Sequence, residues 1–222
     1  MANEEFLTPA GYGEALLVEK RSKFISRIWP VETEAKALEL LEGVRKKHWD
    51  ATHNVYAYVI RGGATRYSDD GEPHGTSGMP TLGVIQGRGV VNALCVVTRY
   101  FGGALLGAGG LVRAYSGAAG LALDAAGFAL VRRWRLVLIP APYALFEQIK
   151  ILVEKADGVI EATDFGVDAL IEAMIPPENT AALFGAIGEL SSGRVAPEVI
   201  DTVFRSVGVQ PGAAPKNKET DS

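Results

Sequence analysis

Cysteine is the scarcest residue in this sequence of 222 residues, and Cys95 is its single example. A disulfide within the chain is therefore impossible, which is typical of proteins that fold in a reducing cytosol. Cys95 lies in the segment NALCVVT, which we interpret as a buried strand, so its thiol is expected to be a small core side chain rather than a nucleophile. The first fourteen residues carry acidic side chains and no apolar run, and we expect no signal peptide.

Long apolar runs and catalytic motifs are also missing. No apolar stretch is long enough to span a membrane, although 48% hydrophobic and 22% charged residues are typical of a globular chain. The sequence has no Walker lysine and no dinucleotide fingerprint, and His48, His53 and His74 are too scattered to suggest a catalytic triad. We therefore assign no catalytic residue, no metal and no cofactor. We favour a cytoplasmic protein without catalytic activity but leave an enzyme open.

Acidic residues are absent from a long central part of the chain. The net charge of −4 excludes a bulk attraction to nucleic acid or acidic lipid. However, no Asp or Glu lies between Pro73 and Leu123, while Arg88, Arg99 and Arg113 do. This distribution indicates a surface that prefers anions. The alternative is that the stretch consists mostly of buried strand and helix, where charged residues are rare in any protein.

The first half of the chain predicts a hairpin followed by alternating helices and strands. Two short extended runs with a polar centre predict the hairpin, and Thr33 is placed to cap the first helix. Gly127 is a suitable terminator for the last helix. The predicted elements are the hairpin Glu14–Val31, the helix Thr33–Trp49, the strand Ala51–Ile60, a loop Thr65–Met79, a short helix Pro80–Gln86, the strand Asn92–Tyr100, a glycine-rich turn Phe101–Gly110 and the helix Leu111–Ala126.

After Gly127 the pattern restarts and predicts a second domain. Its order of elements is β-α-β-β-α-β, which is the split ferredoxin-like arrangement. The elements are the strand Trp134–Pro140, the helix Tyr143–Ala156, the strands Val159–Phe165 and Val167–Ile175 joined at Gly166, the helix Pro177–Leu190 and the strand Val195–Phe204. The fold class is thus α+β, with an N-terminal domain over residues 1–131, a ferredoxin-like domain over 132–207 that packs separately, and a tail over 208–222 that we expect to be disordered.

The loop SDDGEPHGT is the first candidate functional segment. Three carboxylates and a histidine within six residues can hold a divalent cation, but the spacing matches neither a calcium loop nor a zinc site. Asp, Gly and Pro also build turns for local reasons. An internally bonded turn, a ligand contact and a metal site all remain open, and the candidate contact residues are Asp69, Asp70, Glu72, His74 and Thr76.

The second candidate segment runs from Thr98 to Tyr115. A buried strand leads through a glycine-rich loop into a helix, whose first turn offers unpaired N–H groups and the positive end of the helix dipole. We predict a site for phosphate or RNA there. One alternative is tight packing of strand against helix, and the other is a structural clasp in which Asp69, Asp70 or Glu72 folds over and neutralises Arg99 and Arg113. Its candidate residues are Arg99, Gly102, Gly103, Gly107, Gly109, Gly110, Arg113 and Tyr115.

Two further expectations concern this segment. Tyr100, Phe101 and Tyr115 could stack on nucleobases, or they could belong to the core. We also predict that the loops Asp69–Thr76 and Phe101–Gly110 line one concave surface, because two polar, glycine-rich segments in one chain commonly share a site.

The motifs DDGEPHGTSGMP and VVTRYFGGALLGAGGLVRAYSGAA resemble the signature of the IMPACT family, in particular its YigZ-type bacterial branch. The segments SKFISRIWPV and ATHNVYAYVI resemble the first strand and the Ala-x-His motif of that family, so the similarity covers about residues 14–205. Ala104 and Leu105 stand where the family commonly has Ile and Lys.

The resemblance implies a fold and a field of activity. The N-terminal domain is expected to be similar to the second domain of ribosomal protein S five and to domain IV of elongation factor G. Eukaryotic relatives act in translational control by binding the activator of a starvation kinase that bacteria lack. The implied role is a translation-linked regulator that binds RNA, the ribosome or a translation factor. The alternative is an enzyme acting on a phosphorylated small molecule with a divalent metal. No membrane partner is expected, and the oligomeric state stays open.

Overall fold

The computed structural model describes residues 5–207, which form two compact units, Phe6–Leu130 and Val131–Ser206. The predicted disordered tail at 208–222 lies outside the described residues. The first unit contains β1 (Phe6–Pro9), β2 (Gly13–Glu19), β3 (Ser22–Pro30), α1 (Glu34–Lys47), β4 (His53–Val59), β5 (Thr65–Ser68), α2 (Gly78–Gly87), β6 (Ala93–Tyr100) and α3 (Ala108–Ala126). The strand β7 (Phe128–Ala141) follows and continues into the second unit.

The first unit is built on an antiparallel sheet with strand order β2-β3-β6-β4-β5. The helices α2 and α3 cover one face, where Phe24, Ile85 and Tyr115 belong to the main core. The helix α1 packs on part of the other face through Ala37 and Leu41. The alternation of side chains along β6 explains this division, because successive residues of a buried strand face opposite sides.

Local signals place most of these elements where the sequence predicted them. The β2–β3 hairpin is confirmed, and the Thr33 hydroxyl accepts a hydrogen bond from the Lys36 N–H at the start of α1. Gly127 ends α3 with φ of +68°, as its conformational freedom allows.

Several predictions in the first unit are wrong. The strand β1 was not predicted, and α2 begins at Gly78 rather than Pro80. The segment Thr65–Ser68 was predicted as loop, but it forms the short edge strand β5. The helix α3 begins at Ala108 rather than Leu111, and the Leu111 N–H donates to the Gly107 carbonyl. Glycines at 109 and 110 lower helix propensity, which is why the sequence pattern placed the start too late.

The second unit is a ferredoxin-like domain, as predicted. It contains most of β7, followed by α4 (Phe146–Lys155), β8 (Val159–Phe165), β9 (Ala169–Ile175), α5 (Thr180–Ser191) and β10 (Glu198–Val207). The sheet order β10-β7-β9-β8 brings the last strand beside the first. The core of this unit lies between the sheet and the two helices, around Val137, Ile149, Ile171 and Ile187.

Candidate functional site

The loop between β5 and α2 is held by the side chain of Asp69. Its Oδ1 accepts hydrogen bonds from the Gly78 N–H at 2.8 Å and the Ser77 hydroxyl at 2.7 Å, and its Oδ2 accepts from the Gly75 N–H at 2.9 Å. Burial alone raises the pKa of Asp69, but the hydrogen bonds from Gly75, Gly78 and Ser77 outweigh it and lower the pKa. Asp69 thus organises the start of α2 as a carboxylate whose oxygens are already occupied.

Asp70 ties the same loop to β4. Its Oδ2 accepts from the Asn54 N–H at 2.7 Å, and its backbone carbonyl accepts from His53 Nδ1 at 2.7 Å. A carbonyl can only accept, so His53 carries a proton on Nδ1. Among the described residues, no group of three or more His, Cys, Asp or Glu side chains is arranged to hold a metal ion. The hydrogen bonds of this loop therefore match its interpretation as an internally bonded turn.

Glu72 reaches from this loop into the core and joins the two elements that flank the glycine-rich loop. Its Oε1 accepts from Arg99 Nη1 at 2.5 Å and from the Tyr115 hydroxyl at 2.8 Å, while His53 Nε2 lies 3.9 Å from Oε2. The side chains of Glu72 and Arg99 are only 3% and 6% exposed. Burial, and then the neighbouring Glu72 carboxylate, raise the pKa of Tyr115, which stays protonated and donates.

This cluster changes the expected roles of two predicted site residues. Tyr115 is fully buried and packs edge-on against Phe24, so its ring is not available for base stacking. The guanidinium of Arg99 is neutralised by Glu72 and lies over the rings of Phe24 and Phe101 at 5.5 and 5.6 Å. In this arrangement both side chains fix the geometry around the glycine-rich loop rather than presenting a binding surface. Phe101, by contrast, is 47% exposed.

The remaining loop residues divide into bonded and exposed groups. The Thr76 hydroxyl donates to the Pro73 carbonyl at 2.6 Å and is part of the turn. His74 is almost fully exposed, with Nδ1 at 3.7 Å from Asp69 Oδ2. The structure places it at the surface, without a role in the hydrogen bonds of the turn.

The glycine-rich loop contains glycines that serve different purposes. A Cβ atom on Gly102 would lie 2.0 Å from the Arg21 carbonyl carbon, so only glycine lets the loop pack on the β2–β3 turn. Gly103 and Gly107 have φ of +82° and +73° and open space around them. Gly109 and Gly110 lie in the first turn of α3. Among residues 5–207, no acceptor forms a hydrogen bond with the N–H groups of residues 108–110.

Exposed cations surround this loop, and most of them were missed in the sequence. Lys20 and Arg21 form the two-residue turn between β2 and β3, Lys23 follows on β3, and Arg113 lies in the first turns of α3. All four are exposed, and within the described part of the chain none has an ion pair. The signal that could have revealed them is the run EKRSK at the centre of the predicted hairpin.

Packing of α3 across the hairpin brings the turn and the helix start together. A Cβ on Gly13 would meet Ala122 and Ala126 near the end of α3, and Gly117 faces the Leu17 side chain. Strand β2 therefore runs toward the start of α3, and its turn lies beside the first turn of the helix. Lys23 points to the other face of the sheet, because side chains alternate along β3 and Phe24 faces α3. We call the region formed by Lys20, Arg21, Phe101 and Arg113 the basic loop surface.

A second polar cluster lies on the opposite face of the sheet, around the buried Arg27. Its Nη2 lies 2.9 Å from His48 Nε2, and His48 Nδ1 lies 2.9 Å from the Tyr100 hydroxyl, which donates to Asp50. An arginine can only donate, so Nε2 of His48 accepts and its proton sits on Nδ1. Burial, and then the positive charges of Arg27 and Lys47, lower the pKa of His48 below its ordinary value of 6.5.

This arrangement predicts a loss of stability in mild acid. The folded state holds His48 neutral, so the unfolded state binds a proton more readily; the contribution of His48 is complete above pH 6.5 and is lost as the pH falls. We expect the midpoint of urea unfolding to decrease between pH 7.5 and 5.5, and the decrease to be smaller in His48→Gln. His74→Gln, a change at an exposed histidine, is the control and should keep the full pH dependence. An equal decrease in wild type and His48→Gln would contradict the prediction.

The fold defines the class of protein: an α+β domain with helices on both faces of an antiparallel sheet, followed by a ferredoxin-like domain. Residues 20–123 match the Impact N-terminal domain, and residues 139–194 match a domain of unknown function, DUF1949. The chain belongs to the IMPACT family, as a bacterial protein of the YigZ type.

Curated relatives and a solved structure cover nearly the whole chain. The IMPACT family member YvyE of Bacillus subtilis is 34% identical over 85% of this chain and 88% of its own length. The IMPACT family member YigZ of Escherichia coli is 33% identical over 86% and 95%. A crystal structure described as that of a hypothetical protein superposes with a TM-score of 0.58 at 31% identity, over 90% of this chain and 98% of the other. Within residues 5–207, no helix has the length and hydropathy needed to cross a membrane.

Proposed function

We propose that the protein is a cytoplasmic, translation-linked regulator that binds RNA, alone or within the ribosome, through the basic loop surface. The observation that carries this proposal is the conformation of the β2–β3 turn. Lys20 and Arg21 have φ of +44° and +68°, in a two-residue hairpin turn that strongly favours Asn-Gly. Each non-glycine residue in this region costs about 1–2 kcal/mol. Two consecutive strained residues that are both basic and exposed are typical of a binding surface.

The neighbours of the turn support the same function. The unpaired N–H groups at residues 108–110 and the guanidinium of Arg113 can contact phosphate oxygens. The exposed ring of Phe101 offers a face for one base. Because Glu72 is neutralised by Arg99, its charge does not oppose an anion at this surface.

The alternative enzyme with a divalent metal has less support. Asp69 accepts four hydrogen bonds within its own loop, Asp70 holds the start of β4, and Glu72 is paired with Arg99. The carboxylates that would bind the metal are thus all engaged in the fold.

Replacing the turn by its preferred residues tests the proposal. The variant Lys20→Asn/Arg21→Gly should be more stable than wild type by about 1 kcal/mol, because it relieves the strain at positive φ. Its affinity for single-stranded RNA should fall, and the slope of log K against log salt should flatten by about 0.7 for each phosphate that the variant no longer neutralises. Fluorescence anisotropy over a salt series measures both the affinity and the slope.

A lysine in the second unit provides the control. Lys155→Asn removes one positive charge on the exposed side of α4, against two in the turn variant, and should leave RNA binding intact. Co-sedimentation of the wild type and both variants with ribosomes shows whether the target is ribosomal RNA or free RNA. If the wild type binds no RNA and no ribosome with a measurable salt dependence, the proposal is wrong.

A further inference from the structure

A groove of about 430 Å³ lies between α1 and the C-terminal part of β3, away from the basic loop surface. This volume falls within the range of small-molecule sites, about 300–1,000 Å³. Side chains of four kinds line it: aromatic rings, aliphatic chains, a buried guanidinium and two exposed charges of opposite sign. Those used in the argument are Tyr12, Arg27, Trp29, Glu39 and Lys47, together with the backbone at Gly43.

The groove is open because residue 43 is glycine. Gly43 lies in the middle of α1, where glycine is the least favoured residue after proline. Its backbone does not have a positive φ, and a Cβ atom there would meet nothing within 4 Å. Neither conformation nor packing therefore requires glycine here. Any larger side chain would project into the groove opposite the aromatic rings.

The walls of the groove have the chemistry of a nucleotide site. The rings of Tyr12 and Trp29 have centroids 5.2 Å apart at an angle of 42°, and Tyr12 is 52% exposed. Such rings stack on any nucleobase because every base has a π face. At the end of α1, Lys47 is exposed and has no ion pair among the described residues.

Arg27 provides hydrogen-bond donors at the same place. It is 5% exposed, and it donates to Glu14, Thr98 and His48 at 2.9, 3.3 and 2.9 Å. A guanidinium has five N–H donors in a fixed plane, so the three internal bonds leave two N–H groups on a side chain that lines the groove. The three internal bonds hold this plane in position before any ligand arrives.

We propose that this groove binds one nucleoside monophosphate unit, with the base against Tyr12 and Trp29 and the phosphate at Lys47. The two remaining N–H groups of Arg27 donate to acceptors on the base edge. The unit is either a free mononucleotide or one nucleotide of an RNA chain. This site is separate from the basic loop surface, and its existence does not depend on the function proposed there.

Titration with AMP, GMP, CMP and UMP tests the proposal by calorimetry, and the change in tryptophan fluorescence on binding should be lost in Trp29→Phe, which keeps the other two tryptophans. We expect at least one of them to bind the wild-type chain with a Kd below about 1 mM. That monophosphate should bind more tightly than its own nucleoside, and the difference should vanish in Lys47→Ala. Inorganic phosphate alone should bind much more weakly, because it cannot stack.

The variant Gly43→Leu fills the groove without weakening the helix. It should fold with an unchanged or higher melting temperature, because leucine is a strong helix former, and lose roughly tenfold or more in nucleotide affinity. Gly185→Leu in α5, where a Cβ also meets nothing, is the matched control and should bind as wild type. Absence of binding for all four monophosphates, or equal binding in Gly43→Leu, overturns the proposal.

A short RNA, tested with the same variants, identifies the source of the nucleotide. If Gly43→Leu weakens the RNA as well, the groove holds one nucleotide of a chain; if it weakens only the mononucleotide, the ligand is free. The Lys20→Asn/Arg21→Gly variant should bind mononucleotides as wild type does. The experiments can therefore refute the nucleotide site and the RNA-binding role of the basic loop surface separately.

Discussion

The Gly102→Ala variant is expected to lose about 3 kcal/mol of unfolding free energy, the upper end of what overpacking costs. The added Cβ would lie 2.0 Å from the Arg21 carbonyl carbon and 2.3 Å from the Ser22 nitrogen. Both are backbone atoms of a tight turn, so no side chain can rotate to make room. The hydrogen bond from the Gly102 N–H to the Ser22 hydroxyl, at 3.1 Å, would be disturbed as well. Urea unfolding followed by circular dichroism measures the loss.

Gly103→Ala is the matched control, one residue along the same loop. Its φ of +82° makes alanine strained, but nothing lies within 4 Å of the new Cβ. Only the conformational cost of about 1–2 kcal/mol is expected. A loss in Gly102→Ala no larger than in Gly103→Ala would show that the loop does not pack on the β2–β3 turn. The two variants thus distinguish a loss of stability caused by steric overlap with the turn from one caused by backbone conformation.

Local signals in the sequence were sufficient for most of the fold. Thr33 and Gly127 mark helix ends through their own hydrogen-bonding and conformational properties, and both were identified without knowledge of tertiary contacts. The order of helices and strands after Gly127 likewise defined the ferredoxin-like domain. The strand Thr65–Ser68 was missed because it is short, polar and at an edge, where pairing with β4 rather than its own pattern decides its conformation.

The candidate site was less accessible to sequence reasoning, because it depends on pairs that are distant in the chain. The acid-free stretch suggested that Arg99 is available to anions, and a clasp by Asp69, Asp70 or Glu72 was the alternative, which the sequence could not decide. Its partner Glu72 lies just before that stretch and folds back over 27 positions. Burial of Tyr115 follows from the same contact. The β2–β3 turn reaches the start of α3 through the packing of the helix across the hairpin, which no local pattern encodes.

The ion pair between Glu72 and Arg99 predicts the second large effect. Each side chain is more than nine-tenths buried, and removing one partner of such a pair leaves an uncompensated charge in the core. We expect Glu72→Gln and Arg99→Met each to lose about 3–5 kcal/mol of unfolding free energy. Urea unfolding of both single variants and the double variant forms a complete cycle.

The double variant should be more stable than the sum of the single losses implies, by about 1–3 kcal/mol, because it leaves neither charge behind. The exposed pair of Lys36 and Glu39, at 2.8 Å, provides the control, and its own cycle should give less than about 1 kcal/mol. Additive losses at Glu72 and Arg99 would mean that water reaches both charges. In that case the pairing of Glu72 with Arg99 would not explain the positive charge of the basic loop surface. Strong coupling would instead show that Glu72 is neutralised inside the fold, which leaves the charge of Lys20, Arg21 and Arg113 unopposed at the surface.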